Sequence, residues 1–306
     1  MTADDFRRYL DAKRSVDDRS LDRRLWRQLR MTLATAADDE GPFRVLEVGP
    51  GVGTMIERAV EWDLFPGDRD VVYTAVDRDA EVVGTISDRL ADWAADRPVE
   101  VSERDDGIDL VWPKRTIAVR PVTAEAGAFV ADADRTWDLL VGLAVLDVLG
   151  LETLPTLLSG LAPGGHWYFP ITFDGGTRFT PDHPADDAVE RAYHDHMDAK
   201  PGGDSRAGHH ALTRLRDLDG ATVSGVAGSD WVVYPDESGY PDDEAYFLQY
   251  VLRTIEGALG EVDRGAGLDD DTLDDWLRTR RKQVTSGELV YVTHQLDLLG
   301  QWTGGE

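Results

Sequence analysis

Short apolar runs alternate with amphipathic stretches along most of the chain, and this alternation predicts the order of its elements. The strand-like runs are residues 43–48, 71–76, 116–122, 137–142 and 166–173. Residues 54–62, 79–93 and 151–161 have the spacing of helices that bury one face. Strands that alternate with helices predict parallel βαβ units with right-handed crossovers. The pattern therefore indicates an α/β protein with a doubly wound, mostly parallel sheet.

Residues 1–36 have the periodicity of two amphipathic helices. In the second, Ser20 is the expected N-cap, and the leucines from Leu21 to Leu33 recur every four residues on one face. The acidic pair at 38–39 is expected to end this helix. We interpret the N-terminal segment as a helical lid that precedes the sheet.

The remaining segments complete the predicted organisation. Residues 98–115 read as a hairpin elaboration, and residues 174–220 as a cap insertion, because the latter are polar and too long for a plain connection. Further elements are predicted at 221–234 (strand), 244–259 (helix), 270–282 (helix) and 288–296 (strand), with the acidic run 269–271 at a helix N-terminus. The expected division is a lid over residues 1–40 and a Rossmann-like domain over residues 41–306.

The charge balance changes the picture of the surface. The chain has 59 acidic and 32 basic side chains and a formal charge of −27, and it uses 43 Asp, 28 Arg and only 4 Lys. The carboxylates are spread over the whole length, alongside 42% hydrophobic residues, so they indicate an acidic surface on a folded protein. We interpret this as adaptation to concentrated salt, which screens the self-repulsion. Nucleic-acid and membrane partners are disfavoured.

Other classes are excluded by what the sequence lacks. There is no cysteine, which excludes disulfides, thiolate metal sites and cysteine nucleophiles. The charged N-terminus does not read as a secretory signal, and the longest apolar stretch, 139–146, is broken by Asp147. We therefore expect a cytoplasmic protein. Its oligomeric state is left open, with a homodimer as one option.

One segment carries candidate chemistry. Residues 45–54 read VLEVGPGVGT, so glycines follow the first predicted strand, where doubly wound folds bind nucleosides. Thr54 stands where a dinucleotide fingerprint needs its third glycine, which weakens a pyrophosphate interpretation, and Glu47 suits a ligand with a cationic centre. Asp77 ends the second strand, in the position of an acid that accepts hydrogen bonds from ribose hydroxyls.

Together with three later segments, these motifs resemble the class I S-adenosylmethionine-dependent methyltransferases. The matching segments are residues 47–53, 76–77, 123–126, 137–141 and 161–165, in the family's order. The resemblance implies a seven-stranded, Rossmann-like sheet and S-adenosylmethionine as cofactor. It also implies a set of cofactor-binding residues: Glu47, Gly49, Pro50, Gly51, Gly53, Thr54, Asp77, Arg78, Glu125, Ala126 and Gly142.

Within that set, the resemblance implies different roles. The three glycines shape the pocket for the methionine moiety, Glu47 orders their loop, and Asp77 holds the ribose. The adenine lies near Arg78, Glu125 and Ala126. Glu125 is only an approximate match, because the family often has Asp in that motif.

Candidates for catalysis follow from the predicted loops. Methyl transfer from a sulfonium depends mainly on proximity and orientation, and it needs a general base only if the acceptor must lose a proton. Asp147 follows the fourth strand, Asp174 follows the fifth, and Tyr193 and His194 lie in the cap. Asp147 could equally cap a helix, and His194 could be solvated. No metal site is expected.

Two basic residues of the N-terminal segment are candidates for the lid or the substrate. Lys13 stands out because the chain has so few lysines, and Arg19 follows it in the same predicted helix. A surface lysine without a function is the alternative for Lys13.

The sequence favours methyl transfer to a small-molecule acceptor. Without cysteine, the thiolate mechanism of cytosine C5 methylation is excluded, and residues 142–145 lack the signature of base amino methylation. Protein and tRNA acceptors stay open. The alternatives are an aminopropyl-type transferase on the same fold and a binding protein for S-adenosylmethionine or a nucleoside without catalysis.

Overall fold

The computed structural model describes residues 2–35, 41–261 and 268–304. Its helices are α1 (Ala3–Ser20), α2 (Arg23–Thr35), α3 (Thr54–Glu61), α4 (Ala80–Val83), α5 (Ile86–Ala94), α6 (Ala126–Ala131), α7 (Leu146–Leu149), α8 (Leu154–Ser159), α9 (Asp186–Ala199), α10 (Ala207–Asp217), α11 (Glu244–Gly260) and α12 (Asp270–Ser286), with a 3₁₀ turn at Leu151–Thr153. Its strands are β1 (Phe43–Val48), β2 (Val71–Asp77), β3 (Glu100–Arg104), β4 (Gly107–Val111), β5 (Thr116–Thr123), β6 (Trp137–Val141), β7 (Leu161–Thr180), β8 (Ala221–Gly228), β9 (Trp231–Val233) and β10 (Val290–Trp302).

The strands form one sheet in the order β3-β4-β5-β2-β1-β6-β7-β10-β8, and β9 pairs with β10. Strands β5, β2, β1, β6 and β7 run parallel, whereas β10 is antiparallel to its neighbours. The predicted doubly wound, mostly parallel fold is confirmed. The sheet has ten strands in the described ranges rather than seven, because the hairpin β3–β4 extends one edge and the short β9 is added beside β10.

Helices cover both faces of the sheet, which is why its central strands are apolar on both sides. On one face, α1, α2, α3, α5, α11 and α12 bury residues such as Leu29, Phe247 and Trp276 against the strands. On the other, α6, α8 and α10 bury Leu157 and Leu215. The N-terminal helices, expected to form a lid, thus contribute to the larger core.

Of the helix ends predicted from the sequence, one cap differs in the structure and one is confirmed. Ser20 is the last residue of α1, and α2 is capped instead by Asp22, whose carboxylate accepts hydrogen bonds from the backbone N–H of Arg24 and Leu25. The expected break at 38–39 lies outside the described residues. Asp269 caps α12 as the acidic run predicted, by accepting from the N–H of Thr272.

The cap insertion begins later than the sequence predicted. Strand β7 does not end at residue 173, because β10 pairs with it antiparallel as far as Thr180. The first seven residues of the expected insertion are therefore strand, and α9 and α10 form most of the rest. The turn expected at 162–165 lies within β7, where the register with β6 shifts.

Two other predicted elements are each split in two. The helix expected over 79–93 is interrupted between α4 and α5, where Gly84 lowers helix propensity and the Thr85 hydroxyl donates to the carbonyl of Val82. The strand expected over 221–234 becomes β8 and β9, because Asp230 accepts from the Nδ1 of His294 and the N–H of Gln295. Among the described residues, no helix is long and apolar enough to cross a membrane.

Candidate ligand-binding site

The glycine loop lies at the carboxyl end of β1, beside β6. Chain winding reverses between these two strands, and such switch points open the crevice in which doubly wound folds bind ligands. Gly49, Gly51 and Gly53 all have positive φ, at 65°, 54° and 89°. The N–H of Gly53 donates to the carbonyl of Pro50, which closes the loop before Thr54 begins α3. The sequence therefore needs its glycines here for backbone geometry.

The loop after β6 packs on the first glycine. A Cβ at Gly49 would lie 2.7 Å from the Cγ2 atom of Val145, and one at Gly142 would lie 3.1 Å from the ring of Phe169. The N–H of Gly142 donates to the carbonyl of Tyr168. The carboxyl ends of β1 and β6 are thus in direct contact.

The acid at the end of β2 borders the same crevice. Asp77 is partly buried, and one of its carboxylate oxygens accepts from the N–H of Asp79 at 3.0 Å. Arg78 is exposed beside it. The N–H of Ala124, which follows β5, donates to the carbonyl of Asp77. The loops after β1, β2 and β5 are therefore adjacent.

Glu125 and Ala126 have structural roles of their own. The Glu125 carboxylate caps α6 by accepting from the N–H groups of Gly127 and Ala128 at 3.0 and 2.6 Å. Ala126 is buried in the core under α6. These contacts fix the loop after β5.

Glu47 lies under the glycine loop and is fully buried. The Tyr73 hydroxyl donates to its Oε2 atom at 2.8 Å, and its Oε1 atom has no partner among the described residues. Burial raises the pKa of Glu47 to about 7, against the opposing effects of Tyr73 and of the Arg58 guanidinium. Burial therefore favours the neutral, protonated form of this carboxyl group.

This raised pKa predicts a pH-dependent stability. A carboxyl whose pKa rises on folding stabilises the protein fully below its unfolded pKa, near 4.5, and that stabilisation is lost as pH rises through about 7. We expect the free energy of unfolding to fall from pH 4.5 to 8 by about 3 kcal/mol more in the wild type than in Glu47→Gln, at ~1.4 kcal/mol per pKa unit. Urea unfolding across this range measures the difference. The exposed Glu103→Gln is the control, and parallel curves for wild type and Glu47→Gln would contradict the assignment.

A cavity of about 160 Å³ lies beside the glycine loop. Its aromatic lining consists of Tyr9, Phe173, Tyr193, Trp231, Tyr250 and Tyr291, and its polar lining of Lys13, Asp147, Thr177, Thr254, Thr293 and Gln295. Two walls of the cavity also contact the glycine loop. One is the loop after β6, in which Ala144 lines the cavity and Val145 packs on Gly49. The other is helix α1. Tyr9 and Lys13 line the cavity while Leu10, on the same helix, lies over Gly51. A ligand in the crevice and one in the cavity would therefore be neighbours.

Lys13 and Asp147 are the charged side chains of the described cavity lining. The Nζ atom of Lys13 lies 2.8 Å from Asp17 Oδ2 and 5.1 Å from the ring centre of Trp231, whose indole N–H donates to Asp17. Burial raises the pKa of Asp147 to about 6, and the nearby Lys13 charge acts in the opposite direction. Asp147 stands in the first turn of α7, whose N-cap position is Val145, a residue without a capping side chain.

The other three predicted catalytic residues differ in where they lie relative to the cavity. Tyr193 lines the cavity, and burial raises its pKa to about 12, so it is a neutral donor. His194 is outside the cavity lining, and its Nε2 atom is 3.2 Å from the hydroxyl of Thr177, which is part of the lining. Burial lowers the pKa of His194. Asp174 does not line the cavity, because its carboxylate accepts from the backbone and the Nδ1 atom of His209.

Arg19 also lies away from the cavity lining. It forms an ion pair with Glu244 on α11, and the fully buried Glu244 also accepts from Ser15 at 2.7 Å. Arg19 therefore holds α1 against α11, beside the wall that Tyr250 contributes. Among the described residues, no group of three or more His, Asp or Glu side chains is arranged to hold a metal ion.

One wall of the cavity has unusual backbone geometry. Ala144 and Ile171 have positive φ, at 49° and 55°, which is costly for a β-branched residue such as Ile171. Asp297, on β10, holds this wall: its fully buried carboxylate accepts from the N–H of Ile171 at 2.8 Å, the N–H of Asp22 at 2.9 Å and the hydroxyl of Tyr168 at 3.0 Å.

Sequence reasoning missed most of the cavity lining. Its members do share recognisable spacings: Tyr9 and Lys13 are four residues apart on α1, and Tyr291, Thr293 and Gln295 alternate along β10. Those spacings identify residues on a common face. They do not identify which faces meet, because that depends on the packing of α1, α9, α11 and β10.

No family model matches the chain, and no curated protein matches it. Similar solved structures include the cyclopropane synthase MmaA2 from Mycobacterium tuberculosis, at 12% identity and a TM-score of 0.41 over 90% of this chain and 83% of that one. The YcgJ protein from Bacillus subtilis has 12% identity and a TM-score of 0.45 over 91% and 100% of the two chains. The plantazolicin methyltransferase BamL, solved with a triazolic desmethylPZN analog and SAH, has 11% identity and a TM-score of 0.40 over 98% and 89%.

The chain's own topology defines its fold. Its parallel strands β5-β2-β1-β6-β7, followed by the antiparallel β10 and by β8, form a doubly wound, Rossmann-like α/β sheet. The glycine loop, Asp77 and the adjoining cavity lie at its switch point.

Proposed function

We propose that this protein transfers the methyl group of S-adenosylmethionine to a small-molecule acceptor bound in the cavity. The observation that carries the proposal is the position of the cavity: it shares α1 and the loop after β6 with the glycine loop. A cofactor in the crevice would thus lie next to a second ligand in the cavity.

The residues present fit this cofactor. Three glycines with positive φ keep side chains out of the crevice, and the partly buried Asp77 leaves one carboxylate oxygen beyond its bond to Asp79 for a ribose diol. The carboxyl group of Glu47 is buried below the loop, and its Oε1 atom has no partner among the described residues. This set suits a nucleoside with a cationic sulfonium better than one with phosphates.

The chain's own contribution is to bind, orient and exclude water. When bound, S-adenosylmethionine supplies an electrophilic methyl group on a sulfonium sulfur. Asp147 and Tyr193 offer a carboxylate and a phenolic donor to the acceptor in the cavity, and Lys13 lines the cavity beside its ion-pair partner Asp17. The aromatic walls exclude solvent and hold the acceptor beside the crevice, which supplies the proximity that methyl transfer requires.

The aminopropyl-transfer alternative needs a pair of acids that face a polyamine. The two acids that follow the fourth and fifth predicted strands are separated, because Asp147 lines the cavity and Asp174 bonds to His209 outside the lining. Methyl transfer needs no such pair. A binding protein without catalysis has the same requirements for the cofactor, so turnover separates it from an enzyme.

Isothermal titration calorimetry tests the cofactor directly. In concentrated potassium chloride, chosen for the acidic composition, we expect S-adenosylmethionine and S-adenosylhomocysteine to bind and NAD not to bind. Mass spectrometry of ligands that co-purify with the protein would identify an acceptor. Tight binding of NAD without binding of S-adenosylmethionine would overturn the proposal.

Asp77→Ala is expected to weaken S-adenosylmethionine binding by about 1–3 kcal/mol, the scale of a hydrogen bond to a charged group. Asp77→Asn should lose less, because its amide oxygen can still accept from the N–H of Asp79. Calorimetry measures both dissociation constants. The exposed Asp92→Ala on α5 is the matched control, and equal affinities for Asp77→Ala and Asp92→Ala would remove Asp77 from the site.

A further inference from the structure

The net charge of the cavity comes from Asp147. Lys13 is a cation in the same lining, but its Nζ atom lies 2.8 Å from the carboxylate of Asp17, which itself lies outside the lining. That pair is neutral as a unit. Asp147 has no such partner in the described part of the chain: its carboxylate accepts only from its own N–H, and the charges acting on it are those of Lys13 and Asp204. A cationic ligand in the cavity would therefore meet a carboxylate that has no ion-pair partner among the described residues.

The rest of the lining suits a cation. Six aromatic side chains surround the space, and the faces of aromatic rings attract cations through their quadrupoles. Trp231 already shows this contact with the Lys13 ammonium, at 5.1 Å. Thr177 and Thr293 add hydroxyl oxygens that can accept from an ammonium N–H.

The volume limits the size of the ligand. A cavity of about 150 Å³ in another protein holds a benzene molecule, and the cavity here measures about 160 Å³. The enclosed part of the acceptor is therefore about as large as one six-membered ring. Larger parts of an acceptor would have to extend into the opening.

We propose that the cavity selects a small organic amine, bound as an ammonium ion against Asp147 and the aromatic walls, and that this nitrogen receives the methyl group. The inference rests on the proposed function for the transfer, whereas the binding selectivity stands on the cavity alone. Lys13 and Asp17 shape the site as a neutral pair.

The proton balance of methyl transfer to an ammonium requires a proton acceptor, and Asp147 is placed to be that acceptor. An ammonium nitrogen has no lone pair, so it must release a proton before it can accept a methyl group. The Asp147 carboxylate takes that proton, the electron pair of the N–H bond becomes the lone pair that forms the N–C bond, and the pair of the broken S–C bond stays on sulfur. Asp147 returns the proton to solvent when the product leaves.

Three probes of matched size test the selectivity: benzylamine, benzyl alcohol and benzoate. Calorimetry in concentrated potassium chloride measures their binding to the wild type, with and without S-adenosylhomocysteine. We expect benzylamine to bind at least tenfold more tightly than benzyl alcohol, and benzoate most weakly. Equal affinities, or a preference for benzoate, would overturn the proposal.

Asp147→Asn removes the charge without changing the size of the side chain. We expect this variant to lose the preference for benzylamine and to keep its affinity for S-adenosylhomocysteine, whereas the exposed Asp195→Asn on α9 keeps both. A retained preference in Asp147→Asn would overturn the role of Asp147. Thermal unfolding checks that both variants are folded.

The two proposals fail in different ways. If S-adenosylhomocysteine does not bind, the proposed function is wrong, and the probes measured without it still decide the selectivity. If it binds and the probes show no preference for the amine, the amine inference is wrong and methyl transfer to another acceptor stands.

Discussion

Gly51→Asp is expected to weaken S-adenosylmethionine binding at least 100-fold, or ~2.7 kcal/mol. Gly51 has a φ of 54°, and a Cβ there would lie 3.2 Å from the Cδ1 atom of Leu10 on α1. The new carboxylate would therefore either displace α1 or project into the crevice. In the crevice it would occupy the space that the glycine leaves free for the ligand. Calorimetry measures the loss.

Gly67→Asp is the matched control for this variant. Gly67 has a similar φ of 47°, it is exposed, and a Cβ there would meet nothing within 4 Å. The same substitution therefore carries the same backbone cost and the same added charge, away from the crevice. If Gly51→Asp and Gly67→Asp bind the cofactor equally well, the glycine loop is not the binding site.

Asp297→Ala is expected to lower the free energy of unfolding by at least about 3 kcal/mol. The substitution leaves the N–H groups of Ile171 and Asp22 and the hydroxyl of Tyr168 without their acceptor, and each buried unsatisfied donor costs about 1–3 kcal/mol. Asp22 begins α2, and Ile171 forms a cavity wall. The same residue therefore stabilises the N-terminal helices and the acceptor site.

Urea unfolding at high salt measures this loss of stability. The variant Asp297→Asn separates the loss of charge from the loss of all acceptor oxygens. The Asn side chain keeps one acceptor oxygen and the same volume, so we expect it to lose about half as much as Ala. The benzylamine affinity of both variants reports on the wall at Ile171. A loss below about 1 kcal/mol in Asp297→Ala would show that the three hydrogen bonds are replaced by water.

The strands of the sheet were predictable because parallel strands buried on both faces are continuous apolar runs. Strand β1 matches its predicted bounds, and the hairpin β3–β4 lies within the elaboration predicted over residues 98–115. The length of β7 was not predictable, since it depends on pairing with β10, more than 100 residues away. Long-range pairing overrode the local signal for a loop after residue 173.

The candidate site likewise has a part that the sequence predicts and a part that depends on long-range packing. The glycine loop and Asp77 form a local signature at strand ends, and the structure brings them together. Lys13 stood out only because lysine is scarce, and its burial against Asp17 and Trp231 depends on the packing of α1 against β9. Asp297 gave no distinct signal in a chain with 43 Asp. Its role is visible only in the structure, where its carboxylate accepts hydrogen bonds from Tyr168 and Ile171 on β7 and from Asp22 before α2.

Helix α1 has a consequence for how the two ligands affect each other. Leu10 lies over the glycine loop, and Tyr9 and Lys13 line the cavity. A molecule that displaces this helix from either side changes the free energy of binding on the other. Thermodynamic linkage makes that effect mutual, so the factor by which one ligand alters the affinity of the second equals the factor in the reverse direction.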